Sequence, residues 1–276
     1  MRRVTQAYGE ERYSDAIKIA GAIRQQIDTQ PSERVRTTRS VLATWEAYAR
    51  AMRGESGDAH EARILLSAAI DDMTAYLNEL DTPDASPMLA FQDQLGDYYE
   101  SATEFRRWRA TAVLALAYRV RGYMRRTQNR LQEAVEDYQR AANLWQDVNV
   151  LVEDATTRND LGRALGDQDR WDDARDLVNE ALDIRRNRLG NWLEVAKSIN
   201  TLAVLDVAEG RYSDARMRAS FSLELFTALE YLRGQGLAFA VLAEATRRLA
   251  TSDIAPTSVE DKVGLLREAY DCIIGD

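Results

Sequence analysis

Apolar residues recur at helical intervals along most of the chain, separated by short polar segments. In residues 155–166, Leu161 and Leu165 are one helical turn apart and predict a helix with a single apolar face. Residues 167–170 are all polar and predict a turn, after which residues 171–186 again show helical spacing. The apolar stripe of this second segment consists of Trp171, Ala174, Val178, Ala181 and Leu182. The two segments are therefore predicted to form an antiparallel helix pair.

The same arrangement of small and apolar residues returns about every 40 residues. Three alanines in equivalent positions, Ala134, Ala174 and Ala215, are 40 and 41 residues apart. Residues 211–215 read RYSDA, and residues 12–16 carry the same five letters. A single helix pair cannot bury its own apolar face, so consecutive pairs must stack, and small side chains let the helices approach closely. The period predicts an array of about six stacked helix pairs.

This pattern resembles the tetratricopeptide repeat family, in its longer variety of about 40 residues. The residues that carry the resemblance are Leu161, Gly162, Leu165, Trp171, Ala174, Ala181 and Leu182, with partial matches in four other registers. Membership implies an all-α, right-handed α-solenoid of stacked antiparallel helix pairs. It also implies a non-catalytic protein–protein interaction module, which in bacteria is often the regulatory or scaffolding arm of a signalling protein. Arg121, Arg125 and Asp206 depart from the pattern, because they occupy positions where the family has core residues.

Two breaks in the pattern divide the chain into predicted segments. The first is LDTPDASPML at residues 80–89, and the second follows residue 250, where Thr257 and Glu260 are spaced for a capping box. The segments are N-terminal helix pairs over 1–80, an irregular helical connector over 81–114, regular repeats over 115–250 and a truncated or capping C-terminal helix over 251–276. Terminal repeats normally have polar outer faces, but here the first helix is too short to be a full one and the sequence stops at an apolar helix end, AYDCIIGD. The sequence is therefore interpreted as a piece of a longer chain. Self-association through the uncapped ends is a further possibility.

Composition and charge favour a cytoplasmic protein that binds other proteins. The net charge is −9, which disfavours binding to nucleic acid through the whole surface. No apolar run is long enough to cross a membrane, and no signal peptide is recognisable at the N-terminus. The single cysteine, Cys272, cannot form an internal disulfide. We expect a cytoplasmic protein that has no membrane and no nucleic acid as partners.

Residues with catalytic or metal-binding chemistry are scarce. With one histidine, His60, and one cysteine, Cys272, a Cys-His dyad and a His/Cys zinc site are nearly excluded. The glycine-containing segment 54–59 lacks the Lys-Ser/Thr pair that grips phosphate in a P-loop. His60 is interpreted as a surface residue at a helix start and Cys272 as a buried or interface thiol. The sequence predicts no catalytic residues, no metal and no cofactor, with a hydrolase of unfamiliar type as a minor alternative.

Arginines are concentrated in residues 101–130. Eight arginines accompany a single acid, Glu104, in this stretch of an otherwise acidic chain. Two interpretations remain open. The arginines either pair with acids on the neighbouring helix or form a docking site for an acidic partner segment, whose approach their charge would steer.

The family resemblance implies that first-helix positions of each pair line a concave groove. In this sequence the corresponding partner-binding candidates are Arg119, Tyr123, Arg126, Asn159, Arg163, Lys197 and Asn200. Thr156 and Val204 occupy further positions of the same wall. Side-chain amides can bind a peptide backbone, and arginines can bind carboxylates with two hydrogen bonds. The predicted function is binding of a peptide or protein segment. The alternative is a sensor for a small ligand or signalling peptide that changes the superhelix shape.

Overall fold

The computed structural model describes residues 2–27, 33–81, 102–251 and Gly264. Eleven α-helices and no strand occur in these ranges. The helices are α1 (Arg2–Gly9), α2 (Tyr13–Ile27), α3 (Glu33–Arg53), α4 (Asp58–Leu80), α5 (Ala102–Thr127), α6 (Leu131–Asp147), α7 (Leu151–Gly166), α8 (Trp171–Asp183), α9 (Trp192–Glu209), α10 (Tyr212–Ala228) and α11 (Leu232–Thr251). A π-helical turn, Ile184–Arg188, extends α8.

The chain divides into two compact units, Met1–Val150 and Leu151–Asp276. Within unit 1, consecutive helices pack as the pairs α1/α2, α3/α4 and α5/α6. Within unit 2, α7 packs on α8 and α9 on α10, and α11 packs on α10. Short turns join the two helices of each pair, which makes the partners antiparallel. The predicted all-α class, built from stacked helix pairs as in an α-solenoid, is confirmed.

The repeated alanines lie in the contacts between paired helices. Ala134, Ala174 and Ala215 are completely buried near the starts of α6, α8 and α10. Opposite Ala174, a Cβ added to Gly162 would lie 2.8 Å from the Ala174 carbonyl oxygen and 2.6 Å from Val178 Cγ2. Since real Cβ atoms essentially never approach other atoms this closely, α7 and α8 can pack at their observed separation only with glycine at position 162.

The turns that join the two helices of a pair have the same backbone conformation. Asn129, Asp169 and Gly210 all have positive φ, at 59°, 60° and 88°. After each, the next backbone N–H bonds to a carbonyl five residues earlier, as from Arg170 N to Leu165 O at 3.0 Å. This closure satisfies carbonyl groups that the end of a helix leaves unpaired. The repeat period is therefore present in the backbone as well as in the side chains.

Several expectations concern residues outside the described ranges. These include residues 82–101 of the expected connector, nearly all of the expected C-terminal helix, the Thr257–Glu260 capping box and Cys272. Helix α5 (Ala102–Thr127) spans the boundary at residues 114 and 115 between the expected connector and the regular repeats. At the N-terminus, α1 has only 8 residues and packs on α2.

Candidate partner-binding surfaces

In unit 1, two of the three candidate residues of α5 lie close to an aromatic side chain of α3. The rings of Tyr123 and Tyr48 meet edge to face, with centroids 5.7 Å apart. The Arg119 guanidinium stands 5.8 Å from the centre of the Tyr48 ring and is buried. Arg126, one turn beyond, is half-buried. Arg119, Tyr123 and Arg126, together with Tyr48, are called the α5 surface below.

In unit 2, the candidates lie on the first helices α7 and α9, which contact each other. Asn159 is buried, and its Nδ2 donates to Thr201 Oγ1 at 3.3 Å. The Thr201 hydroxyl donates its only hydrogen to the Lys197 carbonyl at 3.0 Å, so it can only accept from Asn159. The orientation of the amide is thereby fixed, with Oδ1 turned away from Thr201. Within the described part of the chain this oxygen has no hydrogen-bond partner.

The other candidates on these two helices are more accessible. Arg163 is exposed and makes no hydrogen bond or ion pair among the described residues. Lys197 is half-buried and binds Glu194 Oε1 at 2.6 Å, while its Nζ stands 5.5 Å from the centre of the Tyr231 ring. Asn200 is also half-buried, and its Oδ1 lies 3.5 Å from the Ser222 hydroxyl, whose only hydrogen is donated to the Ala219 carbonyl at 2.9 Å.

Four residues form what we call the α7–α9 surface: Asn159, Arg163, Lys197 and Asn200. The exposed guanidinium of Arg163 and the partly accessible amide of Asn200 are brought together on two adjacent first helices, with the Asn159 amide buried beside them. The guanidinium can donate to a carboxylate, and the Asn200 amide can bind a peptide group at both of its ends.

One buried arginine that stabilises this region was not predicted from the sequence. Arg185, in the π-helical turn, is almost completely buried. It donates to Ser198 Oγ at 2.7 Å and to Thr156 Oγ1 at 3.3 Å, and it pairs with Glu194 at 3.0 Å. Arg185 therefore ties the end of α8 to α7 and α9. Its sequence position, in an arginine-rich helix end, resembles that of a solvent-exposed residue and gave no signal.

The arginines that depart from the repeat pattern hold a buried carboxylate. Asp137 of α6 is completely buried, and Arg121 binds both of its oxygens, at 2.7 and 2.8 Å. Arg125 adds a third hydrogen bond to Asp137 at 2.6 Å. Burial disfavours the Arg121 cation, but the hydrogen bonds and the charge of Asp137 outweigh it and raise the pKa of Arg121. These polar residues replace an apolar contact between α5 and α6 with an ion cluster.

A second ion cluster replaces an apolar position in unit 2. Asp206 of α9 is completely buried and is bound by Arg175, Arg211 and Arg218. Arg175 lies on α8 and Arg218 on α10, so this one carboxylate ties three helices together. The departures of Arg121, Arg125 and Asp206 from the family pattern were the available sequence signal for both clusters.

At least four of the arginines in residues 101–130 have acidic partners within unit 1. Besides Arg121 and Arg125, Arg107 binds Asp81 at 2.6 Å and Arg130 binds Glu133 at 2.5 Å. For these four arginines the first interpretation, internal pairing, is correct.

No arrangement of side chains suited to catalysis emerges from the described residues. They contain no group of three or more His, Cys, Asp and Glu side chains that could hold a metal ion. His60 is exposed in the first turn of α4 and contacts Arg63 at 3.3 Å. Within the same ranges, no helix is both long and apolar enough to cross a membrane.

Comparison with known proteins agrees with the helix-pair architecture. The crystal structure of BtubC (BKLC) from P. vanneervenii superposes with a TM-score of 0.59, covering 99% of this chain and 87% of that one at 16% identity. A kinesin light chain protein of Podosopora anserina with nearly identical TPR-like repeats gives a TM-score of 0.48, covering 82% and 93% at 16% identity. At such identities the first similarity shows the fold alone. No curated protein matches the chain.

The sequence match to a family is confined to the regular repeats. The tetratricopeptide repeat profile matches residues 113–187 and, in an overlapping register, residues 153–228. These residues contain the contacts of the repeated alanines and Gly162. They also contain every residue of the α7–α9 surface. Tetratricopeptide repeats are general protein–protein interaction modules, and residues 113–228 of this chain belong to the tetratricopeptide repeat family.

Proposed function

We propose that this protein is a non-catalytic interaction module that binds a peptide or protein segment on the α7–α9 surface. The observation that carries the proposal is the Arg163 guanidinium, which is exposed on α7 and has no ion pair among the described residues. A charged hydrogen bond from this group to a partner's carboxylate contributes about 1.5–3 kcal/mol. Arg163 and Asn200 lie on helices that contact each other, so a partner can bind both without first ordering the backbone of the site.

The preferred partner is acidic. Arg163 is exposed and has no carboxylate partner among the described residues, so its fork of donors is available for one. On α9, Asn200 adds an amide that binds backbone groups without reading the partner's sequence. The half-buried Tyr123 and Arg126 side chains of the α5 surface would provide a second, aromatic and cationic contact within unit 1.

The wider role is inferred from the resemblance to tetratricopeptide repeats of bacterial signalling proteins. A net charge of −9 disfavours binding to nucleic acid through the whole surface, whereas local basic side chains such as Arg163 can still bind an acidic protein segment. We place the protein in the cytoplasm as the regulatory or scaffolding arm of a bacterial signalling system. Residues 115–250 would supply the binding repeats, with 1–80 extending the array.

Affinity capture with surface variants tests the proposal. The immobilised wild-type chain and the double variant Arg163→Glu, Asn200→Ala are exposed to extract, and each retained protein is then titrated in purified form. Loss of one charged hydrogen bond alone costs about 1.5–3 kcal/mol, which is at least a tenfold loss of affinity. We expect a partner bound by the wild-type chain to bind the double variant at least tenfold more weakly.

The matched control is Arg186→Glu, which reverses another exposed arginine outside the α7–α9 surface. Among the described residues the Arg186 side chain bonds only to the Asn187 side chain, so its loss does not disturb an ion pair there. Partners that bind the wild-type chain and both variants equally would contradict the assignment of this surface. Circular dichroism of all three chains confirms that their helix content is equal.

A further inference from the structure

Unit 1 contains an open cleft of about 250 Å³ between α4 and the C-terminal end of α5. It lies apart from the α5 surface, which is built from other residues. The polar residues that line it are Arg63, Ser67, Arg121, Arg125, Gln128 and Arg130. Leu66 and Met124, both buried, form an apolar floor. None of the described residues that line the cleft is acidic.

The charge around the cleft is positive even after its internal ion pairs are counted. Asp137 and Glu133 bind Arg121, Arg125 and Arg130 from behind, so two carboxylates face three guanidiniums. Arg63 forms no ion pair among the described residues, and it brings the excess to two positive charges. Asp71 also acts on Arg121, but it is exposed and its charge is therefore screened by solvent.

Donors in the cleft remain unused. The guanidinium of Arg63 contacts only the His60 ring, at 3.3 Å. The side chains of Ser67 and Gln128 make no hydrogen bonds within the described ranges. The Nε and Nη2 groups of Arg121 each donate a hydrogen bond to Asp137, so its Nη1 group remains available for another acceptor. The ion pairs behind the cleft also fix the arginines in position, so little side-chain entropy is lost when an anion binds.

We propose that this cleft binds a phosphate or diphosphate group, either free or at the end of a small organic molecule. A phosphate group carries about −1.5 to −2 charges at pH 7, which matches the excess of two positive charges. Its oxygens can each accept from a different donor, as the convergent arginine, serine and glutamine side chains require. A single carboxylate would neutralise only part of this charge. The apolar floor of Leu66 and Met124 would carry the organic part of the ligand.

Titration calorimetry with inorganic diphosphate tests the site on the full chain, at constant ionic strength. We expect saturable binding that Arg63→Glu weakens at least tenfold, since a charged hydrogen bond is lost and a repelling charge is gained. Ser67→Asp is expected to weaken it similarly. Both positions are exposed, so neither variant removes a core contact. Arg186→Glu, which changes the net charge as Arg63→Glu does, is the control and is expected to bind like the wild type.

Two results would overturn the proposal. One is the absence of saturable diphosphate binding at matched ionic strength. The other is equal weakening by Arg63→Glu and Arg186→Glu, which would reduce the effect to net charge. Titrations with adenosine diphosphate and orthophosphate distinguish an organic phosphate from a free anion as the ligand. Tighter binding of adenosine diphosphate than of inorganic diphosphate would assign an organic phosphate, and the reverse order would assign a free anion. None of these residues belongs to the α7–α9 surface. The outcome of this test is therefore independent of whether the proposed protein partner binds there.

Discussion

Replacing Gly162 by alanine probes the contact on which the α7/α8 pair depends. The added Cβ would lie 2.6 Å from Val178 Cγ2 and 2.8 Å from the carbonyl oxygen of Ala174. A new rotamer of Val178 can relieve the first contact but not the second, since that one is with backbone. The helices must therefore separate by several tenths of an ångström. Overpacking of this kind costs about 3 kcal/mol at the upper end of its usual range. Alanine recovers about 1 kcal/mol through helix propensity, which leaves a net loss of about 2 kcal/mol.

Gly236 of α11 provides the matched control. A Cβ added there meets nothing within 4 Å, so Gly236→Ala should stabilise its helix by about 1 kcal/mol. Hydrogen exchange of peptides from α7 and α8 measures the first effect locally. A loss of about 2 kcal/mol accelerates exchange through opening of the pair by about thirtyfold. Unchanged or slower exchange in Gly162→Ala would refute the reasoning that close helix approach requires glycine there.

Two ionic contacts yield further predictions. Asp206→Asn should lower the free energy of unfolding, measured by urea titration, by about 2–4 kcal/mol, because three arginines lose their buried counter-charge. The control Asp172→Asn changes an exposed residue and should alter the same quantity by less than about 0.5 kcal/mol. Hydrogen bonds from Arg247 and Arg248 lower the pKa of Glu244 from 4.5 to about 2, so its stabilising effect is complete above pH 4.5 and disappears as the pH falls towards 2. Since Glu244 is partly exposed, Glu244→Gln should lower the free energy of unfolding by only about 0.5 kcal/mol at pH 7. The free energies of unfolding of the wild-type chain and the variant should become equal as the pH falls, and a difference that grows on acidification would contradict this.

The sequence predicted the helix pairs because their packing follows a simple size rule. A side chain must be small where two paired helices touch, and this requirement repeats with the structural period. The buried residues Ala134, Ala174 and Ala215 satisfy it in three successive pairs. The spacing of apolar residues also placed the turn between α7 and α8 at residues 167–170. Both features depend on neighbours within one pair, which are close in sequence.

The polar contacts were harder to predict because they join different helices through long side chains. Arg121 and Arg125 were recognised as unusual, but their common partner Asp137 depends on the rotation of α6 against α5. Asn159 was expected to face a partner, and its hydrogen bond to Thr201, 42 residues away, depends on the separation of α7 and α9. Neither quantity is encoded in a local pattern. Whether Asn159 and its neighbours contact a partner remains a prediction.

The most direct test of the proposed function is photo-crosslinking from defined positions of the chain. A benzophenone amino acid replaces Asn200, on the α7–α9 surface, in one chain and Met217 of α10 in another. Met217 is 64% exposed and lies outside the α7–α9 surface, so it controls for crosslinking through exposure alone. We predict that the captured partner crosslinks to position 200 and not to position 217. Crosslinking at 217 alone, or at neither position while the partner remains bound, would contradict binding at the α7–α9 surface.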